Sequence, residues 1–135
     1  MKLLHELVMD YALASPEKPA AEDMRGIMSY RELNARSASL SAALSALGVQ
    51  AGDAVAVYVP YTKEIILGAV SAIRAGGIYV PFDAAYPAKR LEYMLNDCQA
   101  KAVLTVRELQ RIIRILIIHH RVSSEALSSF YPMNS

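Results

Sequence analysis

Few residues of this 135-residue chain have the types and spacings that chemistry requires, and each of those also has a plainer reading. A phosphate-cradling loop needs Gly-x-x-x-x-Gly-Lys-Ser/Thr, so that backbone N–H groups and a lysine surround the phosphates. No such string occurs. The dinucleotide pattern Gly-x-Gly-x-x-Gly is also missing; its nearest approach, Gly76-Gly77, precedes a strand-like segment and reads better as a helix-ending turn. His5-Glu6 begins like the helical zinc-protease motif, but Met9 stands where the second histidine belongs. His119 and His120 are adjacent, so their side chains diverge in a helix or a strand. Cys98 falls on the apolar side of a predicted helix and reads as a small buried hydrophobe, with neither His5 nor His119 placed beside it as a base. Glu22-Asp23 is a carboxylate pair beside a turn and reads as solvated. Asp83 follows a strand end, where βαβ enzymes place functional groups, and equally suits a cap on the turn into Pro87. On residue chemistry alone the catalytic, cofactor-binding and metal-ligand sets are empty.

The elements that would position such residues are clearer. Leu3, Leu4, Leu7, Val8, Tyr11 and Ala12 recur at helical spacing, which predicts an opening amphipathic helix ended by Pro16 and Pro19. Arg25-Gly26 marks a turn between short extended pieces at Pro19 to Glu22 and Ile27 to Met28. Ser29 followed by Glu32 is a reciprocal capping pair. It opens a helix whose Leu33, Leu40, Ala43, Leu44 and Leu47 share a face and whose exit is Gly48. Ala54 to Val59 is apolar throughout and β-branched at alternate positions, as in a strand buried on both faces. Pro60 stops it, and Thr62 is placed to cap a helix with Ile65, Ile66, Ala69, Val70 and Ile73 as its stripe. Gly76-Gly77 closes that helix before the strand Ile78-Tyr79-Val80. Pro87 begins a helix carrying Leu91, Met94, Leu95 and Cys98, and Ala102 to Thr105 is another strand. Strands alternating with helices predict an α/β fold of βαβ units with a mainly parallel sheet. From Arg111 onward no periodicity holds, and the tail stays open between an apolar-faced helix and a poorly ordered end.

Composition bounds the function classes. The length suits one domain. Fourteen basic against 13 acidic residues leave a net charge of +1, without the basic excess of a nucleic-acid binder. One cysteine excludes an internal disulfide and a multi-cysteine zinc site, and fits a reducing cytoplasm. No signal-peptide pattern opens the chain, and Ile112 to Ile118, broken by Arg114, is far short of a membrane span. Apolar and aromatic residues make up 54%, where about 45–50% is usual; replacing the 8 Tyr by the 6 Gly in the count barely changes this. The excess predicts exposed apolar surface and self-association.

Two segments form a pair. Met28-Ser29-Tyr30-Arg31-Glu32-Leu33 resembles the first core motif of nonribosomal peptide synthetase adenylation domains, Leu-Thr/Ser-Tyr-x-Glu-Leu. Ile73-Arg74-Ala75-Gly76-Gly77-Ile78-Tyr79-Val80-Pro81-Phe82-Asp83 resembles their second, Leu-Lys-Ala-Gly-x-Ala-Tyr-Val-Pro-Ile-Asp. The likeness continues through Tyr86-Pro87, Arg90, Tyr93-Met94-Leu95, Asp97 and Ala102 to Thr105, and covers Leu4 to Gln110. It implies the first layers of an adenylate-forming enzyme of the AMP-binding, acyl-CoA synthetase and luciferase superfamily. Such enzymes use ATP and Mg²⁺ to form an aminoacyl adenylate and pass the acyl group to the phosphopantetheine of a carrier domain.

The family's phosphate loop, amino acid pocket, nucleotide-gripping residues and C-terminal lysine all lie downstream of Thr105, and this chain does not contain them. No catalytic or cofactor-binding residue therefore carries over, and the isolated chain is expected to be inactive. The resemblance divides the chain into a truncated adenylation domain, 1–110, and a divergent tail, 111–135, that reads as frameshift-derived or disordered. A non-catalytic interaction module retaining the fold is the alternative, which the apolar excess also fits.

Overall fold

A computed structural model describes residues 2–106, 109 and 127–129. Helix α1 (Leu4–Ala14) is entered through Leu3, whose backbone N–H donates to Glu6 Oε2 at 3.2 Å. A hairpin follows, β1 (Pro19–Asp23) against β2 (Gly26–Ser29), antiparallel around the predicted turn. Ser29 then caps α2 (Tyr30–Ala46): its Oγ accepts from the Glu32 N–H at 3.2 Å. This satisfies one of the N–H groups that a helix start leaves without an intrahelical partner. Ser29→Ala is expected to cost about 0.5–2 kcal/mol, read as a lower denaturant midpoint at constant slope.

The exit of α2 has the glycine-terminated geometry. Gly48 N–H donates to Ser45 O, and Val49 N–H reaches back to Leu44 O. Strand β3 (Ala54–Val59) leads to α3 (Glu64–Arg74), β4 (Ile78–Asp83), α4 (Ala88–Cys98) and β5 (Ala102–Thr105). A short β6 (Leu127–Ser129) pairs with β5. The sheet order is β4-β3-β5-β6 with every pairing parallel, so the α/β, mainly parallel expectation holds. The tail residues Ile112 to Ile118, His119 and His120 lie outside the described residues.

Side-chain alternation divides the sheet into two faces. Val55, Val57 and Val59 of β3, with Ala102 and Leu104 of β5, pack toward α1, α2 and α3 around Leu33, Leu44, Leu67 and Val70. Ala56, Tyr58 and Val103 face the other way, against Leu91 and Leu95 of α4. Strand β3 is therefore buried on both faces, as its unbroken apolar run requires. Thr105, fully buried, keeps its hydroxyl satisfied by donating to Tyr58 O at 2.7 Å.

Three local expectations are corrected. Thr62 does not cap α3 with its side chain: its hydroxyl donates to Pro60 O instead. Of the stripe expected on α3, Val70 is buried and Ile65 packs against the core, but the buried residues are Glu64, Leu67, Gly68, Val70, Ser71 and Ala72, and Ile66 is exposed. That helix lies between the sheet and α1 and α2, so its small residues face close neighbours and an isoleucine is left outside. Finally, the strand expected over Ile78-Tyr79-Val80 does not stop at Val80. β4 runs through Pro81 to Asp83, and Pro87 sits immediately before α4 as its N-cap.

Candidate functional site

The crossover β3–α3–β4 covers one face of the sheet, and β4–α4–β5 covers the other. Adjacent strands β3 and β4 thus send their connections to opposite sides, and a crevice opens where the connections part. In open α/β sheets this is the place where ligands enter. The crevice has a volume of about 290 Å³. Its floor is Val57 and Val59 of β3 with Tyr79, Pro81 and Asp83 of β4, all on the α3 side of the sheet. Tyr61 and Tyr86 rise from the two loops, and Phe82 and Ile65 complete the wall. Burial pushes the Tyr79 phenol up from its ordinary pKa. Asp83 Oδ1 accepts from the Ala85 N–H at 2.8 Å, so it does shape the turn toward Pro87 and also stands at the crevice. Arg90, one turn into α4, holds its guanidinium 4.3 Å from the centre of the Tyr86 ring.

Of the Glu22-Asp23 pair, Glu22 is exposed as expected, but Asp23 is not solvated. Asp23 Oδ2 accepts from the Lys63 backbone N–H at 2.8 Å, and Oδ1 accepts from Lys63 Nζ at 3.3 Å and from the Arg25 N–H at 2.8 Å. The two side chains are 11% and 13% exposed. Asp23 therefore supplies, from the β1–β2 turn, the N-terminal cap that Thr62 does not. The Lys63 N–H stabilises the charged carboxylate most, and the Arg25 N–H and the Lys63 ammonium add to it, holding the Asp23 pKa below its ordinary value. Sequence inspection misses this pair because its members are 40 residues apart. Beside it a second groove, about 510 Å³, exposes Met24, Tyr61 and Ile66.

The remaining described sequence candidates line neither groove. Cys98 packs half-buried among the α4-side core, and burial pushes its thiol up, away from the reactive thiolate. Gly76 and Gly77 close α3 through paired bonds, Gly76 N–H to Ile73 O and Gly77 N–H to Ala72 O. Among the described residues no three His, Cys, Asp or Glu side chains gather as a metal-ligand group. Among the described residues no lysine or arginine lines the β3–β4 crevice, so these residues do not fit a triphosphate with its Mg²⁺. Among the described residues no helix is long and apolar enough to cross a membrane.

With this architecture in view, the chain's relatives can be compared directly. It is 41% identical over 108 residues to tyrocidine synthase 3 of Brevibacillus parabrevis, covering 80% of this chain and 2% of that protein. It is 34% identical over 127 residues to syringomycin synthase SyrB1 of Pseudomonas syringae pv. syringae, covering 92% of this chain and 21% of that protein. Among solved structures, the nonribosomal peptide synthetase FmoA3 in its α-methyl-L-serine-AMP bound form superposes with a TM-score of 0.82 at 25% identity. That match covers 96% of this chain and 14% of FmoA3. VinN in complex with L-aspartate superposes at 0.78, again with 25% identity, over 95% of this chain and 32% of VinN. The chain thus spans a small fraction of each of these relatives. The AMP-binding enzyme family matches residues 9–132, nearly the whole length, and to that family this chain belongs.

Proposed function

We propose that this chain is the N-terminal part of an amino-acid-activating adenylation domain of nonribosomal peptide synthesis. The observation that carries the reading is the 41% identity to tyrocidine synthase 3 across 108 residues. No observation favours a non-catalytic interaction module over it. The parent enzyme works in the cytoplasm on ATP, Mg²⁺ and an amino acid. The amino acid carboxylate attacks the α-phosphorus and pyrophosphate leaves; a carrier-bound phosphopantetheine thiol then loses its proton, attacks the acyl carbon and forms the thioester as AMP leaves. Charge builds on the phosphorus oxygens in that first step and needs positioned N–H donors, a lysine or a metal ion. The described residues provide no lysine for this at the β3–β4 crevice. Its part is to build the first parallel strands and the crossovers on which the rest of such a domain is assembled, within boundaries we place at 1–110, with 111–135 as a divergent tail.

The test is a chimera. Residues 1–110 replace the matching segment of a tyrocidine synthase 3 adenylation domain, and amino-acid-dependent pyrophosphate exchange is measured. Exchange is expected to persist with the recipient's own amino acid, because the grafted segment carries no pocket residue. The 135-residue chain alone serves as control and is expected to give the no-enzyme blank. A chimera that melts cooperatively yet exchanges pyrophosphate with no amino acid overturns the reading.

A further inference from the structure

We propose that the crevice at the carboxyl ends of β3 and β4 binds a small organic ammonium ion, held against tyrosine faces and countered by Asp83. The site stands on residues of this chain alone and is independent of the adenylation reading. Its place is the switch point where the connections from β3 and β4 leave for opposite faces of the sheet. Its volume, about 290 Å³, suits a small molecule and not a macromolecular segment.

The lining selects the charge. Tyr61, Tyr79 and Tyr86 contribute aromatic rings, the ring of Phe82 being buried in the core on the α4 side, and Asp83 is the one charged side chain among the described lining residues. Ring faces are electron-rich and attract cations, most strongly where water is partly excluded. The chain already displays this interaction, with the Arg90 guanidinium stacked over Tyr86. An anion finds no basic residue among the described lining residues, and Arg90 beside them is already engaged with the Tyr86 ring. A neutral apolar guest would strip water from the Asp83 carboxylate without replacing it. A methylated or primary ammonium satisfies both the rings and the carboxylate.

The full chain is titrated with choline and, in parallel, with 3,3-dimethylbutan-1-ol, its neutral isostere, while the tyrosine ring protons are followed by NMR. Choline is expected to saturate in the millimolar range and to bind about tenfold tighter than the alcohol, moving the Tyr79 and Tyr86 signals. Asp83→Asn keeps an oxygen for the Ala85 N–H and is expected to weaken choline about fivefold while leaving the alcohol unchanged. Arg90→Ala frees one face of Tyr86 and is expected to tighten choline binding. Equal affinity for choline and the alcohol, no saturation at millimolar choline, or unchanged choline binding by a folded Asp83→Asn variant overturns the proposal. If Asp83→Asn fails to fold, the ratio between choline and the alcohol on the unmodified chain decides.

Discussion

Gly77→Ala is expected to destabilise the chain by about 1–3 kcal/mol, the range for forcing extra carbon into a packed site. A methyl group there would lie 2.9 Å from Val55 Cγ2, 3.0 Å from Asp53 O and 3.3 Å from Ala72 O. Two of those atoms are backbone carbonyl oxygens, one at the start of β3 and one in α3, so relief requires moving the crossover itself. Gly76→Ala is expected to cost about 1 kcal/mol, for a different reason. Its φ of +83° is left-handed, while its methyl group would meet nothing closer than Ala51 Cα at 3.5 Å. Urea denaturation of the two variants distinguishes the causes. An unchanged midpoint for Gly77→Ala would show that β4 is not held against β3 as closely as described.

Pro81→Val is expected to raise the association constant for self-assembly about tenfold, the worth of roughly one hydrogen bond gained between copies. Ile78 N–H donates to Asp53 O, so residues 78, 80 and 82 direct their backbone groups inward to β3. By alternation, 79, 81 and 83 direct theirs outward, past what is, among the described residues, the last strand on that side of the sheet. The middle outward donor is missing because residue 81 is proline, which sheets tolerate at their edges. An edge without its central N–H is a poor template for another chain. The substitution restores that donor and adds a β-branched side chain. Light scattering at micromolar concentration reads the change. If Pro81→Val and the unmodified chain associate equally, the edge plays no part. Association of the unmodified chain then runs through exposed apolar side chains such as Leu13, Met24 and Tyr61.

What was legible in the sequence was what depends on a few neighbouring residues. The Ser29 cap, the glycine exits after α2 and α3, and the doubly buried β3 are local signals, and all are present. The two core motifs carried the family, because their order and separation are specific. The rest depended on tertiary position. Proline is a strand-stopper only where its missing donor faces a partner, and nothing near Pro81 says that β4 lies at the edge. The buried face of α3 is set by α1 and α2 closing over it, which leaves Ser71 inside with its hydroxyl on Leu67 O at 2.6 Å. The cap of α3 comes from Asp23, 40 residues upstream. Of the crevice, Tyr79, Pro81 and Asp83 stood in the second motif with the periodicity of one strand face. Their meeting with Tyr61 and Tyr86 follows from the two crossovers diverging.

The strand order also has a consequence in time. β3 takes β4 on one side and β5 on the other, although both are made after it. The β3–α3–β4 unit closes over a short stretch of chain, but the side of β3 destined for Ala102–Thr105 waits until 43 further residues beyond Val59 are made. At ribosomal speeds of about 5–20 residues per second, that side stands open for about 2–9 s in every newly made copy. The open side belongs to the most apolar strand of the fold, Ala-Val-Ala-Val-Tyr-Val, and no proline interrupts it. The finished sheet keeps its vulnerable strand at the centre, whereas the nascent chain presents that strand first.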